Sequence, residues 1–187
     1  MSTLRALERA PETRTGSRMI EIFTPDERKQ KAPHAKTRGW ASILTSFAYL
    51  VPAYILLPSE WPASIAFLIL TVGTFLFHAT DNDYGLDGAG MLASVLVLVG
   101  LPYGAGEEAT FGITGLLLRD FYNHKLVAIL MVPVAGICLI HDAWPWFLGA
   151  LGLLVGGFLI WRRSGDIAHA VWHLCTAGAM TLIVIGL

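Results

Sequence analysis

The sequence predicts an all-α polytopic membrane protein, a seven-transmembrane-helix bundle. Three observations carry that expectation. Of 187 residues, 55% are hydrophobic and only 14% charged, too little polar surface for a soluble domain of this length. Seven uncharged stretches follow one another after Trp40. When those stretches are threaded alternately through a bilayer, every Lys and Arg falls on one side, as the positive-inside rule requires.

Residues 1–39 are polar and mixed in charge and hold nine of the thirteen Lys and Arg. They read as a disordered cytoplasmic tail with a short helix around Met19–Phe23. The tail lacks the apolar core and small-residue cleavage site of a secretory signal, so it is expected to stay in place. Residues 40–187 read as the membrane domain. A helix crossing the hydrocarbon needs about 17–25 mostly apolar residues. The stretches Ala41–Leu57, Pro62–Phe77, Gly88–Gly106, Ala143–Trp161 and Ile167–Leu187 meet or approach that length. Leu126–Ile140 is shorter, and Lys125 and His141 can extend it by snorkelling. Ala109–Leu118 is the weakest, ten residues with two glycines. It reaches full length only by taking in Glu107 and Glu108, which are expected to form an outer, solvated edge.

Charge decides whether that fourth stretch crosses. With seven spans and the amino terminus cytoplasmic, Arg119, Lys125, Arg162 and Arg163 join the basic tail inside, while Glu60, Glu107, Glu108 and Asp142 lie outside. Without that crossing, Arg162 and Arg163 move to the outer face. The carboxyl terminus is therefore expected outside. The compact loops and lack of a targeting extension favour a bacterial inner membrane. A net charge of -1 gives no basic footprint for nucleic acid, and the partner expected is a membrane lipid. Trp40, Trp61, Trp144, Trp146 and Trp161 sit at span ends as an interfacial belt. Gly152 and Gly156 are expected to admit a close helix neighbour, and Pro52 and Pro133 to kink their spans. Cys138 and Cys175 lie in apolar runs, which argues against a disulfide or a cysteine metal cage.

The alternating topology gathers ionisable residues at one depth. His78 ends the second span, Asp87 enters the third, and His169 and His173 occupy the first two turns of the seventh. Residues four apart share a helix face, about 6 Å apart along the axis. Three imidazoles with an open fourth position suit a catalytic zinc ion, Zn2+, that lowers the pKa of a bound water to about 7. Asp87 is placed to take a hydrogen bond from that water or orient a ligating ring. Thr74, one turn before His78, is placed to steady the water or polarise a carbonyl. Ionisable groups within a span are costly, which favours function. The remaining histidines, His34, His124 and His141, read as interfacial residues. Asp166 reads as a cap on its own helix, Asp81 and Asp83 as loop carboxylates, and Trp172 as a packing residue.

At these positions the chain resembles the CREST superfamily of seven-span membrane proteins. That group holds the alkaline ceramidases, the progestin and adiponectin receptor family with its haemolysin-III-like relatives, and the remodelling proteins of GPI-anchored lipids. Their pattern is a Ser followed four residues later by a His in the second span, an Asp at the third, and HxxxH in the seventh. Thr74, His78, Asp87, His169 and His173 match those places, and HAVWHL resembles the HxxWH form of the GPI-remodelling branches. The resemblance covers roughly Trp40 to Leu187. It implies zinc held by His78, His169 and His173, and hydrolysis of a lipid amide or ester. Two departures stand out. Thr74 replaces the serine, and the nine-residue gap from His78 to Asp87 is short, which leaves Asp83 as a substitute. Two other functions fit the residues: a receptor or transporter with a structural zinc, or a haem protein using His78 and one histidine of the seventh span.

Overall fold

The computed structural model describes residues 39–80, 85–163 and 165–187. The expected tail, the helix at Met19–Phe23, His34, Asp81 and Asp83 lie outside the described residues. Within them the chain is helical, with no strand, and a helix covers each of the seven uncharged stretches.

The first stretch is a broken run, α1 (Trp40–Thr45), a 3-10 turn (Ser46–Tyr49) and α2 (Leu50–Leu56). Pro52 explains the break. Its ring clashes with the carbonyl four residues back and supplies no amide proton, so the preceding turn tightens. Next come α3 (Trp61–Thr80) and α4 (Gly85–Gly100), the latter continued by a 3-10 turn, Leu101–Tyr103. Gly104, at φ +96°, ends that run earlier than the uncharged stretch suggested, because only glycine enters that region without strain. The chain continues as α5 (Ala105–Leu117), α6 (His124–Ile140), α7 (Trp144–Trp161) and α8 (Asp166–Gly186). Asn123 caps α6 by accepting the Leu126 amide at 2.7 Å, a pairing that Asn favours.

Four helices are long and apolar enough to cross a membrane: Trp61–Thr80, Gly85–Tyr103, Trp144–Trp161 and Asp166–Gly186. Trp40–Leu56 and Lys125–Ile140 are shorter apolar helices. The outer surface is apolar where a soluble protein would be polar. On α6 and α7, Ile129, Val132, Leu139, Leu148, Val155 and Leu159 are all exposed, a surface that hydrocarbon covers and water does not. The interior holds Phe67, Leu70, Leu92, Val97, Val134 and Ile183.

Contacts between helix ends fix the direction of each helix. The start of α1 meets the start of α8 through Ser42 and Asp166. The end of α3 meets that same region through His78 and His173. At the other end, the start of α3 meets the start of α5 through Ala63 and Glu108, and Tyr103 stacks edge-on against His141 after α6. Residue 39 and residue 187 therefore lie at opposite ends of the bundle.

Gly152 and Gly156 do not serve as the expected contact, since a Cβ at either would meet nothing within 4 Å. The close approach of α7 to α8 falls one residue on, at Gly157, whose added Cβ would lie 2.6 Å from the Cys175 Cβ. The helical period turns the i, i+4 glycine pair outward and leaves Gly157 facing α8. Both cysteines are free.

Candidate metal centre

Two helices supply the imidazoles. His78 lies in the last turn of α3, and His169 and His173 lie on successive turns of α8, one above the other. The run from α1 to α2 packs against both α3 and α8 and holds them where the rings meet. Ring centroids are 4.8 Å apart for His78 and His169, 4.9 Å for His78 and His173, and 4.7 Å for His169 and His173. Their ligand nitrogens lie within 4.8 Å of one another. His78 and His173 are each 4% exposed, and His169 is half-buried, so the cluster opens on the His169 side.

The donor set fits a tetrahedral divalent ion. Two imidazole nitrogens bound to one zinc at about 2.0–2.1 Å stand roughly 3.3–3.4 Å apart in a tetrahedron. The Nε2 atoms of His78 and His173 are 3.3 Å apart. Three imidazoles with no thiolate suit several first-row divalent ions, zinc among them.

Further polar groups stand behind two of the rings. The Thr45 hydroxyl lies 2.8 Å from the Ala41 carbonyl and 3.2 Å from His173 Nδ1; with its one proton on the carbonyl, Nδ1 is the donor and the Nε2 lone pair faces His78. His169 is held differently. The Trp161 indole N–H, a donor only, reaches His169 Nδ1 at 3.3 Å, so Nδ1 accepts and the neutral ring carries its proton on Nε2.

Thr74 and Asp87 are joined directly. The Thr74 hydroxyl donates to Asp87 Oδ1 at 2.5 Å. Its proton is thus committed to orienting the carboxylate, and polarising a carbonyl is not what this geometry does. Gly73 makes the pairing possible: a Cβ there would stand 2.6 Å from the Asp87 amide nitrogen, so only glycine lets α3 approach the start of α4 this closely.

Two acidic residues differ from expectation. Asp166 does not cap its own helix. The cap position is Gly165, at φ +109°, which leaves Asp166 inside the first turn with its carboxylate directed at α1. There it accepts from the amides of Ala41 and Ser42 at 3.1 and 3.0 Å and from the Ser42 hydroxyl, capping a neighbouring helix instead. Glu108 is not a solvated edge either. It is 0% exposed and accepts the Ala63 amide in the first turn of α3 at 3.3 Å. Among the described residues no donor reaches its other oxygen, Oε1, and the Glu60 carboxyl stands beside it. The helical turn separates it from Glu107, which is exposed. Glu108 lies at the opposite end of α3 from His78, about 22 Å away along the helix at about 1.5 Å per residue.

His141 is exposed. Trp172 packs against Phe158 and Trp161, with centroids 6.5 and 6.1 Å away. Sequence reasoning missed Ser42, Thr45 and Tyr49, which carry a polar ladder from α1 to α8: Ser42 to Asp166, Thr45 to His173, and Tyr49 to Thr176 at 2.6 Å. The signal was present, because hydroxyls at positions 42, 45 and 49 recur at one helical face inside an apolar stretch. Comparison with family models, with curated proteins and with solved structures gives no match, so the centre is described by its own geometry.

Proposed function

We propose that this chain is a seven-span intramembrane zinc hydrolase acting on a lipid amide or ester. The observation that carries the reading is the convergence of His78, His169 and His173 from two distant helices, with two nitrogens at the spacing of a tetrahedral edge. The alternating helix directions and the placement of all thirteen Lys and Arg support seven crossings with the amino terminus in the cytoplasm. The resemblance to the CREST superfamily supports the same chemistry.

A zinc ion bound here would acidify a water and polarise an acyl carbonyl. The protein's own groups do the rest. His78 and His173 hold the site within the buried core, and the half-buried His169 side leaves an opening for a lipid acyl group. Thr74 pins Asp87 Oδ1, so Oδ2 is the oxygen that takes a proton from water and returns it to the leaving amine or alcohol. Water attack then forms one C–O bond, breaks the C–N or C–O bond of the substrate, and releases a fatty acid.

Metal analysis of the purified full chain tests the reading. Wild type is expected to hold stoichiometric zinc, and His78→Ala and His173→Ala to lose it. Asp87→Ala should keep the zinc and lose fatty-acid release from lipid amides by about 10²–10⁴-fold, the usual weight of a general base. Metal-free wild type, or a His173→Ala protein with full metal content, overturns the proposal. Hydrolysis unaffected by Asp87→Ala would remove Asp87 as the general base, whereas a zinc-loaded chain that releases no fatty acid and keeps a ligand response in Asp87→Ala would favour a structural zinc in a receptor or transporter.

A further inference from the structure

We infer that Thr45, on the first helix, is a positioning residue of the metal centre: it sets the tautomer of His173 so that Nε2 faces the metal as a bare lone pair. The inference rests on the metal-binding reading above. It starts from a proton inventory. A threonine hydroxyl has a single proton, and Thr45 gives it to a main-chain carbonyl, Ala41 O at 2.8 Å or Ser42 O at 3.3 Å. Given to either carbonyl, that proton is not available to His173, and the ring nitrogen facing Thr45 is then the donor, a tautomer that the Ser42 main-chain carbonyl beside the ring also favours. A neutral imidazole with Nδ1 protonated has only Nε2 free to ligate, and Nε2 is the atom that stands 3.3 Å from its counterpart on His78.

What holds Thr45 there is the clasp one turn below. The Asp166 carboxylate fixes the amides of Ala41 and Ser42, and so fixes the carbonyl of Ala41, which takes the threonine proton. Asp166 and His173 both belong to α8. The last helix thus grips the first at two heights, and the first returns a hydrogen-bond acceptor to the last. Ligating histidines need such a partner on the non-ligating nitrogen, and its removal typically costs about 10–100-fold in metal affinity. Neither the HxxxH spacing nor the His78 position identifies this residue; it becomes visible only when α1 lies against α8.

The test measures zinc affinity of the purified full chain by competition with a chromophoric chelator, and the absorption spectrum of the cobalt-substituted protein. Thr45→Val, which keeps the shape and removes the acceptor, is expected to lose about 10–100-fold in affinity and to shift the cobalt bands. Thr45→Ser restores the acceptor and should bind within about threefold of wild type. Ser42→Ala is the structural control: it removes one bond of the clasp, leaves both amide bonds and the Thr45 hydroxyl, and should lower thermal stability while keeping the cobalt spectrum. A Thr45→Val protein that binds like wild type overturns the assignment while leaving the metal site intact. Equal losses in Ser42→Ala and Thr45→Val also overturn it, because the effect is then only the placement of α1. A wild-type chain that takes up no zinc or cobalt overturns both this assignment and the metal reading beneath it.

Discussion

At the scale of single residues, the hydrogen bonds behind the rings separate the three histidines into different states of readiness. With Thr45 as acceptor, His173 presents a lone pair, whereas His169 is engaged at Nδ1 by the Trp161 indole. For His169 to ligate through Nδ1, the indole must leave. To ligate through Nε2, the proton must cross to Nδ1, where it would face another donor. Either route breaks the bond, whose net worth is about 0.5–1.5 kcal/mol. Trp161→Phe is therefore expected to tighten zinc binding by about two- to tenfold in the same chelator titration, and weaker binding would show the indole to be a support. The histidines and Asp87 were legible in the sequence because ionisable groups stand out against an apolar background. Thr45, Ser42 and Tyr49 were legible only as a helical repeat of hydroxyls, since one hydroxyl barely alters the hydropathy of a span. The partner of Asp166 was illegible for another reason: a carboxylate at a helix start caps its own amides or another helix's, and only tertiary packing decides which.

At the scale of elements, the meeting of α3 with α4 sets the pairing of Thr74 with Asp87. Gly73 is the hinge of that contact, with Leu86 and Asp87 backbone atoms 2.6–2.7 Å from where a Cβ would sit. Backbone cannot yield as a flexible side chain does, so Gly73→Ala must push the start of α4 outward. Overpacking of this kind costs about 1–3 kcal/mol. The variant should melt lower in detergent and lose hydrolysis while retaining zinc, because His78 lies beyond the strained turn; full activity would show that α4 does not position Asp87. Element existence was legible throughout, as each uncharged stretch became a helix. Element ends were less so. Gly104 breaks the third stretch inside an uncharged run, where charge counting is blind, and the turn ahead of Pro52 replaced a simple kink.

At the scale of the molecule, the buried Glu108 and the histidine cluster mark opposite ends of one bundle, and the number of crossings fixes what faces each side of the membrane. The fourth stretch is the decisive one, because α5 has only 13 residues. Glu107 and Arg119 flank it and are both exposed. In a background with Cys138 and Cys175 replaced by alanine, Glu107→Cys should react with an impermeant maleimide on intact cells, and Arg119→Cys only after permeabilisation. Labelling of both from one side would remove a crossing and place Arg162 and Arg163 outside, against the positive-inside rule. The ladder joining α1 to α8 also has a bearing on biogenesis. Its rungs connect residues more than 120 positions apart in the chain, so during synthesis the hydroxyls of Ser42, Thr45 and Tyr49 emerge long before their partners leave the ribosome. Until the last helix is made, the earliest one lacks these partners, and the ladder forms only when the bundle closes.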